Sequence, residues 1–298
     1  MFLIQHIQDR NNALDFLEIK HSNNTVYAKI DLLLGGSLQE LKLNNSEVIK
    51  KDCNTSYNES YASAILFPFT NRVKNGSYMF NNIEYNLDIN QIDENNAIHG
   101  LVFNKQFHFI KKEICDEGLE VSLSYTENNP IKGFPFKYSI LLKYKFTQEK
   151  LQLRVIVKNT DTNSFPYSLG WHPYFFSSDL QNSCLSLKSK KRIYVDENKI
   201  PLHIEEKPFS KTIKLKNKAF DDCFILENKN ISFKTPDYNM DFSFSAEENY
   251  IQLYTPKNGN TIAIEPLTSP SNSFNNKIGL KILQPSEEDN ITWTIELN

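Results

Sequence analysis

The residues able to do chemistry in this chain are few, and they stand where its strand pattern breaks. His172 lies between an indole and a proline in "SLGWHPYFF", residues 168–176, and His99 precedes Gly100 in "NNAIHGLVF", residues 95–103. Glu265 follows an apolar run in "TIAIEPLTSPSNSFN", residues 261–275. Asn71 and Arg72 come just after Pro68 in "ILFPFTNRVKNGSYMF", and Asp221 and Asp222 stand together in "FDDCF". Taken singly, most have ordinary explanations: a histidine beside glycine is a turn or a satisfied core residue, an arginine is a surface ion-pair partner, and two aspartates are a turn. Glu265 is harder to dismiss. It alternates out of step with Ile262 and Ile264, and Pro266 is expected to end the strand there. An unpaired buried carboxylate costs on the order of several kcal/mol, so it needs a partner or water.

Two histidines, two carboxylates and an arginine at strand ends fit three kinds of site. Two His and a Glu form a plausible ligand set for zinc or non-haem iron, but the wide spacing of His99, His172 and Glu265 contains no short metal motif. Nucleophilic catalysis lacks its usual signature, since no Ser or Cys sits in a GxSxG elbow. General acid–base work by a His and a Glu on a neutral polar substrate, with aromatic rings to stack on it, stands slightly ahead.

The elements that must position these groups are strands. Period-two alternation places Tyr138, Ile140, Leu142, Tyr144 and Phe146 on one face, then Leu151, Leu153, Val155 and Val157. Met240, Phe242 and Phe244 repeat the pattern, as do Ile291, Trp293, Ile295 and Leu297. Asn44-Asn45 and Asn81-Asn82 between such runs suit two-residue hairpins. Helical patterns, fixed-period repeats and linkers are not evident, which predicts an all-β chain: a large antiparallel β-sandwich spanning residues 1–298 as one domain.

Composition agrees and sets limits. Apolar residues make up 40% of the 298, enough for a real core, and 12% are aromatic. The net charge of −3 carries no basic blocks, which argues against nucleic acid or an anionic membrane as the main partner. No apolar run approaches the roughly 18 residues of a membrane span, and the start "MFLIQHIQDR" does not read as a signal peptide. Cys53, Cys115, Cys184 and Cys223 are far apart and read as reduced thiols in a cytoplasmic protein.

The ordered segments "NRVKNGSYMFNNIEYNL", "NAIHGLVFNKQF", "GWHPYF", "FDDCF" and "IAIEPLTSPSNSFN" resemble the motifs of the aldose 1-epimerases, the galactose mutarotase family, across roughly residues 65 to 290. The resemblance implies a galactose mutarotase-type sandwich with an open sugar cleft, no metal and no cofactor. It implies that Glu265 removes the proton of the anomeric hydroxyl and that His172 protonates the ring oxygen. His99 would then bond the sugar near the ring oxygen, Asn71 and Arg72 would contact hydroxyls or the ring oxygen, and Asp221 would grip hydroxyls away from the anomeric centre. A bell-shaped pH profile is expected, with Glu265 ionised on one limb and His172 protonated on the other. Trp171, Tyr174 and Phe175 are candidates to pack against a sugar face.

The partner expected is thus a small-molecule sugar, with the protein a monomer or homodimer. Within the same fold the alternatives are a hexose-6-phosphate 1-epimerase, which would need more cations than Arg72 and Lys74, and a non-catalytic carbohydrate-binding or sensor protein. A metal-dependent sugar lyase or isomerase using His99, His172 and Glu265 is the fourth reading. The motif form "GWHPYF" and the loosely matching "LLLGGSLQEL" leave the sugar open.

Overall fold

The structure is a computed structural model and describes residues 1–9, 11, 14–50, 55–115, 118–257 and 259–298; Cys53 lies outside them. Two large antiparallel sheets dominate. The first is a meander of five consecutive strands, from Phe2–Gln8 through Asp15–His21, Tyr27–Asp31 and Ser37–Leu43 to Ser46–Ile49. Its last hairpin turns on Asn44 and Asn45, both left-handed (φ 44° and 67°), the backbone that a two-residue primed turn demands. Asn81 and Asn82 (φ 49° and 62°) close the Ser77–Phe80/Ile83–Asn86 hairpin in the same way.

The second sheet holds 15 strands. It starts at His108–Cys115 and runs through Gly118–Glu127, Tyr138–Phe146 and Lys150–Asn159 as successive antiparallel neighbours. The C-terminal strand Glu288–Leu297 then inserts between Lys150–Asn159 and Asn239–Phe244, joining the middle of the chain to its last third. Beyond it the path continues to Asp221–Leu226, Tyr250–Tyr254, Thr261–Leu267, Gly170–Trp171 and Ile65–Leu66.

The alternation read from sequence is the packing observed. Tyr138, Ile140, Leu142, Tyr144 and Phe146 are all buried, as are Leu151 to Val157 at every second position and Ile291 to Leu297 likewise. One apolar cluster runs from Phe2 to Leu297 and draws on both sheets. Burial of this kind stabilises by about 25 cal/mol per Å² of apolar surface removed from water, so the core fixes which face of each strand is left for polar groups. Among the described residues, helix is confined to two four-residue turns, Tyr57–Ser60 and Ser273–Asn276, and one 3-10 turn, Leu180–Asn182. No described helix is long and apolar enough to cross a membrane. Cys184 and Cys223 are free thiols.

Two local expectations are corrected. Asp221 and Asp222 do not form a turn; they open the strand Asp221–Leu226. Pro266 does not end its strand, which runs from Thr261 to Leu267. A proline costs a strand its place only where its missing N–H would have been a ladder donor. Pro266 pairs with Ile251 on one side. On the other side it stands opposite Trp171, between the flanking pairs Gly170–Leu267 and Tyr174–Ala263.

Candidate active site

A segment paired along both edges builds the site. Gly170 pairs with Leu267, and Tyr174 pairs with Ala263, in one common antiparallel register. This register sets His172 opposite Glu265 and Trp171 opposite Pro266. Between the two flanking pairs Ile264 N–H donates to the Pro173 carbonyl at 3.3 Å, and the chain also bonds along its other edge. Trp171 pairs with Ile65, the His172 N–H donates to the Ala64 carbonyl at 3.0 Å, and the His172 carbonyl accepts from Ser63 N–H at 2.8 Å. Pro173 next in line restricts His172 to extended backbone. His172 is therefore fixed through its main chain on one side while its ring faces Glu265 on the other.

Residues directly opposite in antiparallel strands share a face, and two cross-strand rows result. One row reads Cys223, Gln252, Glu265 and His172; the other reads Asp221, Tyr254, Ala263 and Tyr174. The reverse face carries Leu253, Ile264, Trp171 and Phe175, all fully buried. Trp171 and Phe175 are thus core residues, and Tyr174 alone of the three candidate rings lies on the site face.

His172 Nε2 stands 3.4 Å from Glu265 Oε1, with 4% and 2% of the two residues exposed. Four rings form a column that holds the imidazole: Tyr61 and His99 at 4.7 Å between centroids, His99 and His172 at 5.0 Å, His172 and Tyr174 at 5.0 Å, the last pair nearly parallel at 21°. Tyr174 is anchored in turn by its hydroxyl, which donates to the Ser60 carbonyl.

His99 reaches the column through unusual backbone. It is left-handed (φ 64°), as is Gly100 (φ 76°), and a Cβ on Gly100 would meet the Phe67 carbonyl oxygen at 2.3 Å. The His99 N–H donates to the carbonyl of Asn71, itself left-handed at φ 52°. Non-glycine residues held in this region cost of order 1–3 kcal/mol each and concentrate at functional sites. Asn71 Oδ1 also accepts from Arg72 NH1 at 2.7 Å, and Arg72 forms a two-point pair with Glu94. Asp221 is bound by Lys199 Nζ at 2.8 Å and by Gln252 Nε2 at 2.8 Å.

All six residues singled out in the sequence are therefore brought into one neighbourhood. His172 and Glu265 touch, His99 packs on His172, Asn71 supports His99 and Arg72, and Arg72 and Asp221 act on Glu265 through charge. Sequence reasoning missed Glu94, Lys199, Gln252 and Tyr61. Cys223 was inside a quoted motif, but only the strand register shows that it neighbours Gln252 in the row of Glu265.

The electrostatics differ from the expected starting state. Burial pushes the His172 imidazole down to about 4. Burial also pushes the Glu265 carboxyl well above the usual carboxylate range; the Asp221 charge adds to this and Arg72 opposes it. His99 is held well below the ordinary histidine value by burial, then by His172 and Arg72. All three directions favour uncharged forms, because removing an ion from water costs more than these neighbours return. The two directions together favour a neutral imidazole beside a protonated carboxyl. His99 Nδ1, His172 Nδ1 and Glu265 Oε2 are buried without a hydrogen-bond partner among the described residues, a concentration of unmet polar atoms that marks a ligand-facing surface. Among the described residues, no group of three His, Cys, Asp or Glu side chains is placed to hold a metal ion.

Fold and site together define an antiparallel sandwich with a buried imidazole–carboxylate pair on the face of its longest sheet. The aldose 1-epimerase family model matches residues 16–296, and the chain belongs to that family. It is similar to an uncharacterized protein of Escherichia coli (strain K12), YihR, at 23% identity over 274 residues, covering 88% of this chain and 87% of the relative. Among solved structures it is similar to a galactose mutarotase-like protein from Clostridium acetobutylicum, with TM-score 0.86, 19% identity, and coverage of 100% of this chain and 98% of the other. A galactose 1-epimerase from Lactobacillus acidophilus NCFM gives TM-score 0.82 and 18% identity at 100% and 98% coverage. At these identities the structural likeness establishes the fold.

Proposed function

We propose that the protein interconverts the α and β anomers of a free, unphosphorylated aldose by acid–base ring opening and reclosure. The observation that carries this reading is the in-register, buried His172–Glu265 pair, with Nε2 3.4 Å from Oε1. Opening a hemiacetal removes a proton from the anomeric hydroxyl and adds one to the ring oxygen, so it needs a base and an acid a few ångströms apart.

A one-proton pair serves both directions. Transfer of the proton from Glu265 to His172 Nε2 gives a carboxylate and an imidazolium. The carboxylate takes the hydroxyl proton and the imidazolium protonates the ring oxygen. This leaves the open-chain aldehyde beside a protonated Glu265 and a neutral His172, which is the state that burial favours. After rotation about C1–C2, His172 takes the proton of the attacking hydroxyl and Glu265 returns one to the aldehyde oxygen, closing the other anomer. In this scheme neutral His99, on its left-handed support, bonds the sugar near the ring oxygen. Asn71 and Arg72 contact its hydroxyls or ring oxygen, and Asp221 holds hydroxyls away from the anomeric centre.

An unphosphorylated substrate is favoured because the cations that act on the site are already paired, Arg72 with Glu94 and Lys199 with Asp221. Lys74, two residues beyond Arg72, is exposed on the same strand. The test is polarimetry on freshly dissolved α-glucose, α-galactose and α-glucose 6-phosphate, with and without protein and chelator. Acceleration confined to the phosphorylated sugar, or lost in chelator, would replace this reading with one of the others.

A further inference from the structure

The strand Asp221–Leu226 has two working faces. Asp221 and Cys223 belong to the site just described, whereas Asp222 and Phe224 line a separate cavity of about 600 Å³ on the other side. Five cationic side chains surround that cavity: Arg192, Lys207, Lys211, Lys214 and Lys218. One acid, Asp222, is among the lining residues, and it is taken by Arg192. Lys207 has Glu205 at 3.9 Å, while Lys211, Lys214 and Lys218 have no carboxylate within ion-pair distance among the described residues. This is a local excess of positive charge in a chain whose net charge is −3.

Concave walls focus such a field, and mutual repulsion among clustered ammonium groups is relieved by an anion. The cavity is not purely polar, however. Phe220, Phe224 and Ile213 supply apolar wall, and the Arg192 guanidinium lies 5.9 Å from the Phe224 ring centroid. Arg192 Nε is buried and has no hydrogen-bond partner among the described residues, an unmet donor on the guanidinium that lines the same cavity. The volume falls in the range of small-molecule sites, about 300–1,000 Å³.

We infer that this cavity is a second binding site, separate from the catalytic pair, for a small phosphorylated ring compound, whether a sugar phosphate or a nucleotide. The ring packs on the phenylalanine wall, and the phosphate is held by the lysines with Arg192. Charge-assisted bonds to phosphate are the strong class of hydrogen bond, and stacking on an aromatic side chain adds an attraction that inorganic phosphate lacks.

Titration calorimetry at fixed moderate salt tests it with glucose 6-phosphate, uridine diphosphate, inorganic phosphate and free glucose. Glucose 6-phosphate or uridine diphosphate is expected to bind at least about tenfold more tightly than inorganic phosphate, and free glucose is expected not to compete. The stronger of the two identifies the source of the ring. The double variant Lys211→Gln/Lys214→Gln, both residues being exposed, is expected to weaken binding by about tenfold or more. Glu265→Gln is expected to leave it unchanged. Binding equal to that of inorganic phosphate, binding untouched by the lysine variant, or no binding of either ring compound would each overturn the inference.

Discussion

His172 stands opposite Glu265 in register, while the histidine's own N–H and carbonyl go to Ala64 and Ser63 on its other edge. Held from both edges, the imidazole has a fixed backbone and shares a face with the carboxylate. Pro266, opposite Trp171, has no N–H to leave unpaired there. Removing either partner should therefore leave the fold intact and strike the chemistry.

Glu265→Gln and His172→Asn are each expected to lower kcat for mutarotation by about 10²–10⁴-fold, the usual contribution of a placed acid or base. KM should change far less. Progress curves from polarimetry measure both, and a variant that retains wild-type kcat would remove that residue from the proton path.

The pH profile should be a bell whose limbs belong to the pair. Activity needs one proton between His172 and Glu265. A second proton arrives on His172 as pH falls toward about 4, and the single proton is lost as Glu265 ionises well above the ordinary carboxylate range. The plateau should lie between these two limbs. An alkaline limb at an ordinary glutamate value would contradict the neutral resting pair.

The neighbours should move that alkaline limb in opposite directions. Asp221 raises the Glu265 value and Arg72 lowers it. Asp221→Asn should shift the limb to lower pH and Arg72→Gln to higher pH, in kcat/KM profiles of the free enzyme. Both should also raise KM. Shifts of the same sign in the two variants would contradict the charge arrangement described.

Burying a protonated Glu265 has a cost in stability that follows pH. Its folded value lies above the ordinary 4.5, so its contribution is fully present below that value and is lost as pH rises through the folded value. Glutamine has no proton to lose. The stability of Glu265→Gln relative to wild type should thus increase as pH rises from the ordinary carboxylate value toward the raised folded value. Thermal unfolding at several pH values measures this, and a constant difference would contradict it.

Gly100→Ala should be destabilising, by about 1–3 kcal/mol or more, since the added Cβ meets the Phe67 carbonyl and φ is +76°. The same variant should lower activity by displacing His99. Denaturant unfolding and kinetics on the soluble fraction check both effects.

Much of this was legible in the chain. The alternation at Tyr138–Phe146 and Ile291–Leu297 stated which side chains are buried, because strand faces repeat every two residues. Asn44-Asn45 and Asn81-Asn82 stated their turns, because few residue types accept left-handed backbone. The six candidate residues were visible as polar groups at breaks in the pattern, and family motifs ordered them. The partners were not visible. Glu94 meets Arg72 and Gln252 meets Asp221 through tertiary pairing, which no local pattern encodes. Pro266 misled because its effect depends on whether a neighbouring strand wants its N–H. Trp171, Tyr174 and Phe175 look alike in sequence, and only the register decides that Tyr174 faces the site. The protonation state was also hidden, since burial sets it.

The most direct test of the central claim follows optical rotation of fresh α-glucose and α-galactose with wild type and Glu265→Gln at neutral pH. The account predicts that wild type accelerates the approach to the anomeric equilibrium for at least one of these sugars and that the variant returns the rate close to the spontaneous one. No acceleration of either sugar, or equal acceleration by the variant, would contradict it.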